Sequence, residues 1–161
     1  MLLPATIALR RATPDDAPAL ADLNAHVQRL HADAHPDQFS PVSHSAVQAF
    51  FDTALAGGPD LAWIAEIAEE PIGYLYAVEA HRDANPFTTE QHTLHVHHLA
   101  VAPTARRCGV GSSLLRAVVG HARDAGLDGL LLDSWTFNAE AHAFFRRFGF
   151  EPMQTRFALR L

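Results

Sequence analysis

Two groups of residues in this chain could do chemistry. Arg106-Arg107-Cys108-Gly109-Val110-Gly111-Ser112 joins two guanidiniums to a run of backbone amides, with no side-chain bulk at its glycines. Just upstream, His95, His97 and His98 crowd into one short stretch. A loop of that kind leading into a helix is an anion site. The first helical N–H groups lack intrahelical partners and the macrodipole favours negative charge, so a phosphate or pyrophosphate is the expected ligand. Imidazole, with an ordinary pKa of about 6.5, is a base suited to neutral pH. Cys108 is the one cysteine. It is read as a small residue in a tight turn, and a lone cysteine excludes both a disulfide framework and a cysteine-based metal site. His95 and His97 share a strand face, but no acids or cysteines stand at ligand spacing in the sequence, so no metal is expected.

These residues need elements to hold them. Thr6 to Arg11 alternates as a strand. Thr13-Pro14-Asp15-Asp16 opens a helix running to about Leu30, and Ser43 or Ser45 caps a second through Leu55. Strands are expected at Leu61–Ile67 and Ile72–Val78, joined by the turn Ala68-Glu69-Glu70-Pro71. A polar loop from Glu79 to Gln91 separates them from a strand over Thr93–Val101, which feeds the anion loop. Val110, Leu114, Leu115, Val118, Val119 and Ala122 recur at helical spacing to about Ala125. Leu130-Leu131-Leu132 reads as a short buried strand. Asn138 caps a last helix with an Ala141, Phe144, Phe145, Phe148 stripe that Gly149 ends, and Met153–Leu161 is the expected closing strand. The order βααββ–βαβαβ makes the fold class mixed α/β, in a single domain over residues 1–161.

Composition narrows the partners. A net charge of −6 argues against nucleic-acid binding. No apolar run approaches the ~20 residues of a membrane span. The first residues, Met1-Leu2-Leu3-Pro4, lack a charged region ahead of their apolar part, so no signal peptide is read and a cytoplasmic location is expected.

Two blocks then carry a resemblance. Val101-x-Pro103-x-x-Arg106-x-x-Gly109-Val110-Gly111-x-x-Leu114-Leu115 resembles the acetyl-CoA-binding motif of the GNAT N-acetyltransferase superfamily. Asn138-x-x-Ala141-x-x-Phe144-Phe145-x-x-x-Gly149-Phe150 resembles that superfamily's second signature. A Leu30-His31…His35-Pro36-Asp37-x-Phe39 segment and the run Trp135 to Asn138 look like one branch of it. A Walker loop would need a Gly-Lys-Ser/Thr run, and a Rossmann fingerprint three glycines early in a βαβ unit; neither is present.

The resemblance implies an acetyl-CoA-dependent N-acetyltransferase moving an acetyl group directly to a primary amine of a small molecule. Its alternatives are a protein N-terminal or lysine acetyltransferase of the same fold, and a non-catalytic acyl-CoA sensor. It implies that the amides of Arg107, Cys108, Gly109, Val110, Gly111 and Ser112 cradle the CoA pyrophosphate, with Arg106 and Arg107 adding charge. The glycines would let backbone approach phosphate. Leu99, Ala100 and Val101 would bond the pantetheine arm like an added strand, a neighbouring amide would polarise the thioester carbonyl, and Asn138 would bond the pantetheine or thiol end. His97 falls, by position, where the family often places an acidic base. His98 is the alternative if a bulge turns it inward, and the third possibility is that both are simply half-buried polar residues. Phe145 stands where many members have a tyrosine, so it can only pack, against the thiol end. Protonating the thiolate would fall to water, a histidine, or a hydroxyl such as Tyr74 or Tyr76. The loops His31–Pro41 and Arg82–Gln91, and Trp135, are where acceptor choice is expected, with core packing as the other reading of Trp135. The expected partners are acetyl-CoA and an amine. The one protein partner considered is a second copy of the chain, as a homodimer.

Overall fold

The computed structural model describes residues 6–161. The expectation for the first five residues lies outside them. One mixed sheet follows chain order: β1 (Ala8–Arg11), β2 (Asp60–Ile67), β3 (Glu70–Arg82), β4 (Gln91–Val101) and β5 (Gly129–Leu132). The first four are antiparallel neighbours, and β4 and β5 are parallel. Helices α1 (Ala17–Ala34) and α2 (His44–Ala54) cover one face, and α3 (Val110–Asp124) covers the other; α4 (Ala139–Phe148) follows β5. This is the mixed α/β class that the sequence pattern predicts.

Local chemistry explains most boundaries. The β2–β3 hairpin turns on Ala68 and Glu69 with φ of 51° and 66°, the paired positive values of a type I′ turn, whose twist matches that of the strands. Ser43 is the α2 cap, its Oγ accepting from the Ala46 amide at 3.4 Å. α1 runs past Leu30 to Ala34 and stops ahead of Pro36.

The two cores are distinct. On the α3 side Leu114, Leu115 and Val118 pack on Leu75, Leu94 and Val96. On the other, Leu20, Leu23 and Phe51 pack on Ile64, Tyr74, Tyr76 and Ala100. Gly73 on β3 lets the head of α3 sit close: a Cβ there would lie 3.0 Å from both the Ala100 carbonyl oxygen and a Val110 methyl.

Three expectations are corrected. The polar stretch from Glu79 is strand as far as Arg82, because it pairs with Gln91–Leu94. Leu130–Leu132 is half-buried, since β5 is an edge strand of the sheet. Met153–Leu161 forms no strand. Its alternating pattern is present, but an alternating pattern becomes a strand only with a ladder partner. Among the described residues, 151–161 make no backbone hydrogen bond, and they are exposed throughout. Among the described residues no helix is long and apolar enough to cross a membrane.

Candidate active site

The sheet is split where the candidate residues gather. β5 pairs with Thr93–Val96 only, while β4 continues to Val101, so the edge of His97–Val101 that faces β5 is left open. The β3–β4 register breaks at the same place: Tyr76 opposes His98 and Ala77 opposes Val96, leaving His97 as a bulge without a partner. The bulge decides which histidine turns inward. Leu94 and Val96 lie in the α3-side core, and so do Leu99 and Val101, although an unbroken alternation would have placed His98 there. His97 is instead exposed, and His98 points into the layer under α1 and α2. The sequence reading that a bulge would turn His98 inward is the arrangement found.

The loop ahead of α3 has the geometry of an anion site. Arg107 (φ 62°) and Gly109 (φ 85°) are both left-handed, a kind of alternation that turns successive amides toward one concavity. Val110 begins α3 and is buried, so it offers only backbone. Arg106 Nε lies 3.4 Å from the Val101 carbonyl oxygen, tethering the loop to the end of β4. Cys108 and both arginines are exposed. Within the chain itself the two glycines have different reasons. Gly109 has open space beside it and is required by its φ. At Gly111 a Cβ would come 3.2 Å from the ring of Phe144, which lets α4 approach α3.

Asn138 is engaged as the α4 cap, its Oδ1 accepting from the Ala141 amide at 3.2 Å. Phe145 packs between Phe144 and Phe150, at 5.4 and 5.8 Å between ring centres, so a phenyl ring with only packing partners stands there.

Three imidazoles differ in what they can do. Asn24 Nδ2 donates to the Tyr74 hydroxyl at 2.8 Å, and that hydroxyl lies 3.2 Å from His98 Nδ1. Burial raises the Tyr74 pKa, so its hydroxyl keeps a proton to donate, and His98 Nδ1 is the acceptor available to it. Neutral His98 then carries its own proton on Nε2 and is a donor, not a base. His31 is the opposite case. Its Nδ1 lies 2.8 Å from the Val27 carbonyl oxygen, to which it can only donate, so the neutral ring carries its lone pair on Nε2. His97 stacks on His95 at 4.5 Å, and His95 Nε2 meets Asp133 at 3.1 Å. The His97 pKa is lowered by partial burial first and by His95 second.

Burial, then the neighbouring His97 and His31, lowers the His98 pKa to about 4 from 6.5. The folded state therefore binds fewer protons at His98 than the unfolded chain between those values. Its contribution is intact above pH 6.5 and is lost as pH falls toward 4, to a total of about 3 kcal/mol. Urea titrations across that window are expected to show a shallower loss of stability in His98→Asn than in the wild type.

A cleft of about 360 Å³ opens beside His98, lined also by Asn24, Gln28, Ser43, Val47 and Phe50. Next to it His31, His35, Phe39, Trp135 and Phe137 form an aromatic cluster with ring centres 4.8–5.7 Å apart. This cluster joins the loop after α1 to the β5–α4 loop. Trp135 is thus part-exposed, packed on His35 and Phe39 and outside the core. The sequence reading missed Asn24 and the tautomer of His31. Asn24 did leave a signal, as a polar residue on the Leu20–Val27 apolar stripe, and a buried polar residue is the informative kind.

A parallel pair of strands that parts beside an amide-lined helix head, in a mixed sheet with helices on both faces, defines the acyl-CoA N-acyltransferase fold of the GNAT type. The family follows from the sequence match: the acetyltransferase (GNAT) family model matches residues 26–150, and the chain belongs to that family. N-acetyltransferase 8 from Homo sapiens is 33% identical over 89 residues, which are 55% of this chain and 37% of that protein. The chain thus spans little more than a third of that relative's length. Two solved structures share the fold. A tetramutant of the BH1408 protein from Bacillus halodurans has a TM-score of 0.90 at 22% identity, covering 96% of this chain and 99% of its own. Aminoglycoside N-acetyltransferase AAC(6')-Iy, solved in complex with CoA, has a TM-score of 0.80 at 17% identity, covering 100% and 98%.

Proposed function

We propose that this chain is a single-domain, cytoplasmic N-acetyltransferase that moves the acetyl group of acetyl-CoA directly to a primary amine of a small molecule. The observation that carries the reading is the open edge of His97–Val101, which has an amide-lined anion loop at one end and a cleft beside His98 at the other. The amides of Arg107 to Ser112 and the guanidiniums of Arg106 and Arg107 hold the pyrophosphate. Leu99, Ala100 and Val101 bond the pantetheine arm as they would an added strand, along the edge that β5 leaves open. Asn138 and Phe145 flank its thiol end, Asn138 through the amide nitrogen its capping role leaves over. The AAC(6')-Iy neighbour was also solved with a bisubstrate analog of CoA and acetylneamine, which supports an amine acceptor of small size. Unpaired Cys108 suits a reducing compartment.

In this reading the amine attacks the thioester carbon from the cleft. An N–C bond forms, the C–S bond breaks, and one proton passes from nitrogen to the departing sulfur through histidine and solvent. His97 accepts the proton. Its lowered pKa keeps it neutral at pH 7, while His98, as the Nε2–H donor, steadies the oxygen or the acceptor.

The test is an amine panel with acetyl-CoA, reading free thiol. Turnover with small amines is expected; thiol release on peptides alone, or binding without turnover, would overturn the small-molecule reading. In the same assay His97→Gln is expected to lower kcat/KM ~100-fold or more and to remove the acid limb of its pH profile. A full-strength limb in His97→Gln that disappears in His31→Gln would move the base to His31.

A further inference from the structure

Two side-chain amides of α1 line the cleft with their nitrogens committed and their oxygens left over. Asn24 Nδ2 donates to the Tyr74 hydroxyl at 2.8 Å, and Gln28 Nε2 donates to the Ser40 carbonyl oxygen at 2.7 Å. A carbonyl can only accept, so the Gln28 bond fixes which end of that amide is the nitrogen. The two residues stand four apart, on one face of the helix. Among the described residues nothing donates to Asn24 Oδ1 or Gln28 Oε1. Asn24 is only 6% exposed, yet no buried side-chain oxygen among the described residues lacks a partner, so its Oδ1 opens on the cleft.

The rest of the lining carries no charge. It contains no aspartate, glutamate, lysine or arginine, and His98, with a pKa of about 4, is neutral at pH 7. Two carboxylates on the elements around it are engaged elsewhere: Asp22 meets His44 at 2.9 Å, and Asp60 accepts from the Tyr76 hydroxyl. The apolar part is Val47 and Phe50, one turn apart on α2. Phe50 is 47% exposed although its ring sits edge-on against Phe51 and Tyr76, at 5.1 and 5.6 Å between centres. At about 360 Å³ the cleft is near the small end of the range for ligand clefts, about 300–1,000 Å³.

Resting on the acetyl-transfer reading above, we infer that the acceptor is a primary amine with one positive charge and a compact apolar body. Its N–H groups are received by Asn24 and Gln28, and its body lies on Val47 and Phe50. Neutral oxygens suit the task, because the nitrogen must lose a proton before it attacks. A carboxylate would hold it as the ammonium, whereas an amide oxygen orients the N–H groups with no full charge to favour that form. A second ammonium, as in a polyamine or an aminoglycoside, would enter a lining with no opposite charge to meet it.

Calorimetry with 2-phenylethylamine, spermidine and neamine, each against the full chain saturated with CoA, reads binding apart from turnover. 2-Phenylethylamine is expected to bind at least ~30-fold tighter than either polycation. Gln28→Glu, at a half-buried position, is expected to narrow that gap ~10-fold by giving a second ammonium its carboxylate, and Phe50→Ala to weaken 2-phenylethylamine alone. Equal or tighter binding of a polycation by the wild type would overturn the inference. So would no binding of 2-phenylethylamine, or a gap that Gln28→Glu leaves unchanged. If the binding order holds but no amine releases thiol from acetyl-CoA, the transfer reading fails and the cleft's preference for a single charge stands.

Discussion

Phe51→Ala is expected to lower the unfolding free energy by about 3–5 kcal/mol. Phe51 is the one fully buried residue of α2, with Val47 and Ala54 packed part-buried against the same core. Its ring meets Phe50, Tyr74, Tyr76 and His98 at 5.1–6.0 Å between centres, mostly edge-on. Truncation removes the apolar transfer term and leaves a cavity that Tyr74 cannot fill, because its hydroxyl is held between Asn24 and His98. The same ring packs on Phe50 and His98, which line the cleft, so a second effect follows. At a temperature where the variant is still folded, the KM for the amine is expected to rise while affinity for CoA is unchanged, since the anion loop lies at the head of α3, on the other face of the sheet. Denaturant titration reads the first effect and steady-state kinetics the second. Equal losses for both substrates would show that the variant had disturbed the whole fold.

Gly109→Val is expected to weaken CoA binding ~10- to 100-fold by calorimetry. A β-branched residue at a φ of 85° is strained, and relief of that strain rotates the amides on either side out of the concavity they share. Open space around the position means that no clash confuses the result. Gly126→Val is the control. It imposes similar strain at a φ of 69° in the turn after α3, far along the helix from the loop, and should leave CoA affinity alone. If the two variants bind CoA equally well, the loop is not the pyrophosphate site.

What was legible in the sequence is what local rules decide. The α4 cap at Asn138, its stop at Gly149 and the loop-to-helix junction at Gly109 need only near neighbours, and each sits where the pattern puts it. The direction of His98 needed the register of β3 against β4, a relation between strands that alternation along one of them cannot specify. The donor chain Asn24–Tyr74–His98 joins α1, β3 and β4 across 74 residues of sequence, so only Asn24's misfit on an apolar stripe hinted at it. The segment Met153–Leu161 failed in the opposite way. Its pattern is plainly that of a strand, and among the described residues none pairs with it.

The bulge in β4 also changes how that strand counts. Leu94, Val96, Leu99 and Val101 face one core, and Ala100 and His98 the other, in a sequence that would be perfectly regular if His97 were absent. His97 is therefore an insertion in the strand's reading frame. It belongs to neither layer and fills no place in the ladder. Taken out, it would leave Leu94 to Val96 and His98 to Val101 alternating between the two cores as they do now.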